Sequence, residues 1–226
     1  MQEFLLALPV LLFSVVAHEY AHGYAARLQG DPTAFQLGRL SFNPLRHIDP
    51  WMSVALPALL WYGTGGQFVF GAAKPVPVNP RNYRNYRRGD IIVSSAGIAA
   101  NLALFLICIG LVVITGLIGG GIPGAAPAIT VIQRMLHWGV WLNVLLACFN
   151  LIPIPPLDGS HLLYHVLPPG LGAAFRRLSR YGFLLLLALM IFLPSLFVTL
   201  LTPAIILTRS AYALVAPFAL PGGAPF

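Results

Sequence analysis

The chain has 226 residues, of which 58% are hydrophobic and only 8% charged, and its mean hydropathy is +0.82. These values fall outside the range of soluble globular domains and point to an integral membrane protein. The net charge of +7 comes from basic residues clustered between hydrophobic runs, which suits a lipid bilayer with anionic headgroups as partner and argues against nucleic acid.

Five hydrophobic stretches follow in chain order. The first, about residues 4–26, has no basic leader and carries His18, Glu19 and His22, so it reads as a retained helix rather than a cleaved signal peptide. The second, about 51–72, is interrupted by Pro57, Gly63, Gly65 and Gly66. Arg27, Arg39 and Arg46 precede it, and Lys74, Arg81, Arg84, Arg87 and Arg88 follow it. Basic residues favour the cytoplasmic side, so 51–73 is expected to dip into the membrane or lie against it and return to the same face. The run "RNYRNYRR" at 81–88 reads as a juxtamembrane lipid anchor. The third stretch, about 91–118, and the fourth, about 129–152, are expected to cross. The last, about 181–219, is long and carries Pro194 and Pro203, which kink or divide it into one or two crossings. Cys108 and Cys148 fall inside apolar runs and read as packing residues.

The expectation is an all-α multi-pass membrane protein forming one domain over 1–226. Its core is three transmembrane helices, joined by a re-entrant or extended segment after the first and by one or two C-terminal helices. Alternating crossings make the first and fourth stretches run in the same direction, with their C-terminal ends toward the cytoplasm.

The chemistry is concentrated in "AHEYAHG" at 17–23. His18 and His22 are four residues apart, so on a helix they share one face and can grip one ion through imidazole nitrogen. Glu19 stands beside them, where a carboxylate can take a proton from the water that zinc activates. His18 lies 14 residues after Phe4, roughly 21 Å into an apolar core of about 30 Å, and ionisable groups at such depth are functional by default. A third ligand is needed. Of the six acidic residues, Asp158 in "NLIPIPPLDGSH" ends the fourth stretch on the same side as His22, and three prolines there break the helix. The same His, His and Asp set would also suit a divalent metal ion transporter or channel; a general base beside the ligands is what hydrolysis needs and ion transit does not.

Other polar residues carry weaker signals. In "GAAKPVPVNP" at 71–80 the prolines exclude helix, so Lys74, Pro75, Val76, Pro77 and Val78 are expected to form an extended edge able to pair with an unwound substrate. His161 and His165 lie one and two turns beyond Asp158 and could orient its carboxylate. Asn101 and Asn143 suit ties between helices, and His47 and His137 suit the membrane interface.

Together "HEYAHG", "FGAAKPVPVNPRNYRNYRR" and "FNLIPIPPLDGSH" resemble the site-2 protease family of intramembrane zinc metalloproteases, in its short form without PDZ or CBS domains. The resemblance runs from about residue 14 to about 188 and includes "YGF" at 181. It implies that His18, His22 and Asp158 ligate one Zn2+ per chain and that Glu19 is the catalytic base. It also implies that Asn150 holds the substrate or the developing oxyanion. The implied protein is a zinc endopeptidase of a prokaryotic cell membrane, acting on membrane-protein substrates from the cytoplasmic side, with room for an accessory or regulatory protein. One departure is visible in "SAGIAANLAL", where Ile98 stands in place of the proline of many relatives; it bears on the bend of the third helix.

Overall fold

Backbone polar groups in lipid find no water, so an apolar run must satisfy them within itself and becomes helical. The computed structural model describes residues 2–63, 73–121, 124 and 126–223, and within them it is helical with no strand. In chain order the helices are α1 (Gln2–Gln29), α2 (Thr33–Gln36), α3 (Leu56–Gly63), α4 (Tyr86–Gly121), α5 (Ala126–Leu151), α6 (Asp158–Val166), α7 (Pro169–Leu178), α8 (Gly182–Phe192), α9 (Pro194–Leu200) and α10 (Thr202–Val215). Helices α1, α4 and α5 have 28, 36 and 26 residues, about 42, 54 and 39 Å at 1.5 Å per residue, each more than the apolar thickness of about 30 Å. These three are long and apolar enough to cross a membrane, and they fall on the first, third and fourth stretches. Helix α4 is continuous through Ile98.

Side-chain pairings fix the directions. On α1 and α5, Glu3 accepts from Arg134 and from Trp138 Nε1, and further on Ser14 Oγ accepts from Asn143, so these helices are parallel. On α4 the order reverses: Asn101 meets His18 while Val93 meets the later His22. Helix α10 packs on α5 and α4 through a cluster of Phe105, Val140, Val144, Ala204 and Ala211, and the Tyr212 hydroxyl donates to the His137 carbonyl at 2.9 Å. His137 is therefore buried inside the bundle rather than interfacial.

The last apolar stretch is divided into three helices at the two prolines that mark it in the sequence. It breaks before Pro194 and again before Thr202 and Pro203, where proline lacks the N–H that would continue the preceding turn. The run Pro169–Phe192 meets Pro194–Leu200 at 107°.

The connection from α1 to α4 is tied down at both ends. Asp31 is wholly buried and accepts from Asn79 N–H at 2.6 Å, Asn82 Nδ2 at 2.8 Å and the Thr33 hydroxyl at 2.5 Å. Arg39 donates to the carbonyls of Lys74 at 3.1 Å and Pro75 at 3.4 Å. The Lys74 N–H reaches the His47 carbonyl at 2.8 Å, and His47 is buried against the Ser41 carbonyl. Asp49 caps the next turn by accepting from the N–H groups of Trp51 and Met52, both at 2.9 Å. The segment that leaves at His47 thus comes back to His47, which an unreturned crossing of about 30 Å could not do; its far part, 64–72, lies outside the described residues.

Because these ends meet, single cysteines placed at Arg46 and Lys74 should both react with an impermeant maleimide from one face of sealed vesicles. Labelling from opposite faces would refute the return.

Candidate active site and metal centre

On α1, one helical turn brings His18 Nε2 and His22 Nε2 to 3.0 Å from each other. Asp158 comes to them from the end of the parallel helix α5. After Leu151 the chain turns through Ile152–Leu157, with Ile154 N–H on the Ile152 carbonyl at 2.8 Å and Leu157 N–H on Ile154 at 3.0 Å. Ile152 and Leu157 are buried against Leu186 of α8, so apolar contacts hold the turn that launches α6. Asp158 is the first residue of that helix, and its Oδ2 lies 3.3 Å from His18 Nε2 and 3.2 Å from His22 Nε2. Close approach of α4 depends on Gly97, where a methyl group would overlap His22 Nε2 and the His18 ring.

The tautomers follow from the surroundings. His22 Nδ1 is 2.7 Å from the Val93 carbonyl, which can only accept. His18 Nδ1 is 2.6 Å from Asn101 Oδ1. That amide cannot be turned round: its nitrogen donates to Asn143 Oδ1 at 2.9 Å, and the Asn143 nitrogen in turn donates to Ser14 Oγ and to the Gly139 carbonyl, both at 2.9 Å. In their neutral form both histidines therefore carry hydrogen on Nδ1 and turn Nε2 lone pairs toward each other and toward Asp158. Among the described residues nothing donates to the buried Asp158 Oδ2. These ligand atoms lie within 4.8 Å of one another, and three lone pairs so placed repel unless a cation sits among them. Two imidazole nitrogens and one carboxylate oxygen make the donor set of a catalytic zinc site, and pinning the far imidazole nitrogen to an oxygen is how such ligands are usually held.

Glu19 lies beside this group, and its Oε2 accepts from Val76 N–H at 2.7 Å. A cavity of about 600 Å³ opens over the cluster, lined by His18, Glu19, His22 and Asp158 together with Asn150, Pro75, Val76 and Val78. Lys74 and Pro77 lie outside that wall. Residues 73–79 form neither helix nor strand; Lys74 N–H and Val76 N–H are already bonded, and Pro75 and Pro77 have none to offer.

His161 and His165 do not touch the Asp158 carboxylate. They meet Asp90 instead, His165 Nε2 at 2.7 Å and His161 Nδ1 at 3.4 Å, because α6 lies along the first turns of α4 and carries both rings to that side. Sequence analysis assigns Asp90 no role. The available signal was a lone carboxylate closing a basic run just as an apolar helix begins.

The model of peptidase family M50 matches residues 6–193. The chain belongs to that family. Over 181 residues it is 36% identical to YwhC of Bacillus subtilis (strain 168), spanning 80% of this chain and 78% of that protein. It is 32% identical over 188 residues to Rip2 of Mycolicibacterium smegmatis (strain ATCC 700084 / mc(2)155), spanning 83% of this chain and 67% of the relative. Both relatives are named as candidate zinc metalloproteases. No solved structure matches the chain. The matched region includes every residue of this M50 peptidase described above as a potential metal ligand or as lining the cavity.

The Asn101 amide generates the first test of the site. Asn101→Ala leaves His18 Nδ1–H without its acceptor, so zinc affinity measured by competition with a chelator should fall about 10–100-fold. Unaltered affinity would mean that Asn101 does not orient His18.

Proposed function

We propose that this M50 peptidase is an intramembrane zinc endopeptidase that hydrolyses peptide bonds in or near transmembrane segments of membrane proteins. The observation that carries this reading is the meeting of His18 Nε2, His22 Nε2 and Asp158 Oδ2 on one point, with Glu19 on the same cavity wall. His18, His22 and Asp158 hold one zinc ion. When bound, zinc polarises the scissile carbonyl and lowers the pKa of the attacking water to about 7.

The remaining steps belong to the chain itself. Glu19 takes the proton from the attacking water and returns it to the leaving amine. Its Oε2 is held by Val76 N–H, which leaves Oε1 for that exchange. Pro75, Val76 and Val78 line the cavity from an irregular segment and offer their remaining backbone groups, together with the Val76 and Val78 side chains, to a substrate that has unwound locally. Asn150, whose Nδ2 already donates to the Leu146 carbonyl at 3.0 Å, keeps one amide hydrogen for the substrate.

The basic connection between α1 and α4 and the arginines of α7 share the end of the bundle that carries this cluster. The positive-inside rule therefore supports a cytoplasmic active site in a bacterial cell membrane. Ion transport by the same ligands is the weaker reading, because it gives Glu19 no task.

The test compares wild type with Glu19→Gln in detergent, measuring zinc per chain and cleavage of a panel of single-span substrates. One zinc in each, with hydrolysis at least about 100-fold slower in Glu19→Gln, is the expected result, and Asp158→Asn should lose the metal. Cleavage surviving in Glu19→Gln would overturn the mechanism.

A further inference from the structure

Asp90 sits in the second turn of α4, only 4% exposed, and a carboxylate so placed needs a hydrogen-bonding partner. His165 supplies it: its side chain is 5% exposed and its Nε2 lies 2.7 Å from Asp90 Oδ2. That bond ties α6 to α4, as does the Arg87 guanidinium, which donates to the His165 carbonyl at 3.0 Å. A second imidazole, His161, reaches the same oxygen with Nδ1 at 3.4 Å, and its side chain is 53% exposed. As a tie between helices it is redundant, yet it lines the cavity over the metal ligands. It follows Asp158 by three residues, so both lie on one face of α6.

The geometry of the ring gives His161 a task. With Nδ1 turned to Asp90, Nε2 is the atom left for the cavity, and no residue of the described chain meets it. Among the described residues neither lysine nor arginine lines this cavity, and of those that do, His161 is the one side chain apart from the ligand histidines that can be cationic. The Asp90 hydrogen bond raises the pKa of His161 above the ordinary histidine value, against the opposing effect of burial. The scissile carbonyl of a substrate in this cavity gains negative charge during hydrolysis and is stabilised by a donor aimed at it.

We propose that His161, held by Asp90, is a catalytic residue whose Nε2–H donates to the scissile carbonyl oxygen as that oxygen becomes charged. This rests on the endopeptidase reading above. His161 keeps its proton throughout, and Glu19 carries the proton traffic. Asp90 is a positioning residue, fixing the ring so that Nε2 faces the substrate. Asn150 is the neutral companion donor, and the cation adds the charge that it lacks.

The experiment measures kcat, KM and zinc per chain for wild type, His161→Ala, His161→Gln and His161→Lys, using a single-span substrate that the wild type cleaves. Binding of the uncleaved substrate is measured separately, with each change placed on Glu19→Gln. For His161→Ala the expected result is a kcat lower by about 100-fold, with zinc content, KM and substrate binding within about twofold of wild type. His161→Gln, a neutral donor, should recover part of the loss and His161→Lys, a cationic one, more. An unchanged kcat in His161→Ala overturns the inference. So does a loss in all three variants that goes with lost zinc or lost substrate binding, since the role would then be structural. A zinc-loaded wild type that cleaves no member of the substrate panel overturns the endopeptidase reading itself, and this inference falls with it. Wild-type cleavage abolished in Glu19→Gln but indifferent to His161 would overturn the inference alone.

Discussion

The hydrogen bond from His18 to Asn101 is the contact on which the rest of the molecule depends. It is the last link of a buried chain, Gly139 carbonyl to Asn143 to Asn101 to His18, with Ser14 bridging back to α1. Such bonds between membrane helices stabilise by only about 0.6 kcal/mol on average. Their weight lies in the alternative, since each unmet amide or imidazole in an apolar interior costs about 1–3 kcal/mol. Three helices can satisfy this chain at one rotation and one height. That register turns His18 and His22 toward α4 and the start of α6, and brings Glu19 to the segment after α3.

The register also explains where small residues stand. Gly97 lets α4 lie against both imidazoles, and at Gly159 a methyl group would collide with the carbonyls of Leu151 and Ile152. The first opens room for the ligand rings; the second lets α6 fold back on the end of α5, which sets the position of Asp158. Apolar packing of Ile152, Leu157 and Leu186 then holds that turn. Polar bonds fix which atoms face each other, and close packing fixes how far apart they stay.

Much of this was legible in the sequence, for physical reasons that can be named. Long apolar runs have one outcome in lipid, so α1, α4 and α5 were readable to within a few residues. A pair of histidines at helical spacing beside a glutamate, with the single carboxylate that closes a parallel helix, is enough to point to the cluster of His18, His22 and Asp158. The return of the chain from 51–73 was readable because both flanks carry the same charge. The pairings of Asp90 with His161 and His165 were hidden, because they join residues 71 and 75 apart in sequence. Neither α6 nor α7 was foreseen: with nine and ten residues they are too short to announce themselves as spans. His137 misled for a related reason, since a lone histidine between apolar runs has the same sequence signature at an interface as in a packed core.

Charge accounting completes the picture. Five of the six acidic side chains accept hydrogen bonds within the chain: Glu3 from Arg134 and Trp138, Glu19 from Val76, Asp31 from Asn79, Thr33 and Asn82, Asp49 from the turn it caps, and Asp90 from two histidines; the sixth, Asp158, turns Oδ2 to the ligand histidines. Among the described residues only Glu3 is paired with a lysine or arginine side chain, and that pair lies toward the N-terminal ends of α1 and α5. Of the 13 lysines and arginines, all but Arg134 and Arg209 lie at the other end, in the connection from α1 to α4, at the adjoining helix ends or in and just after α7. Five carboxylates, Glu19, Asp31, Asp49, Asp90 and Asp158, share that end with these eleven basic residues, so part of the neutralising charge must come from outside the chain. Anionic headgroups supply it at about 1 kcal/mol per basic residue near the surface. The same headgroups then hold the basic end of the bundle at the membrane surface, with the His18, His22 and Asp158 cluster on that side of the bundle.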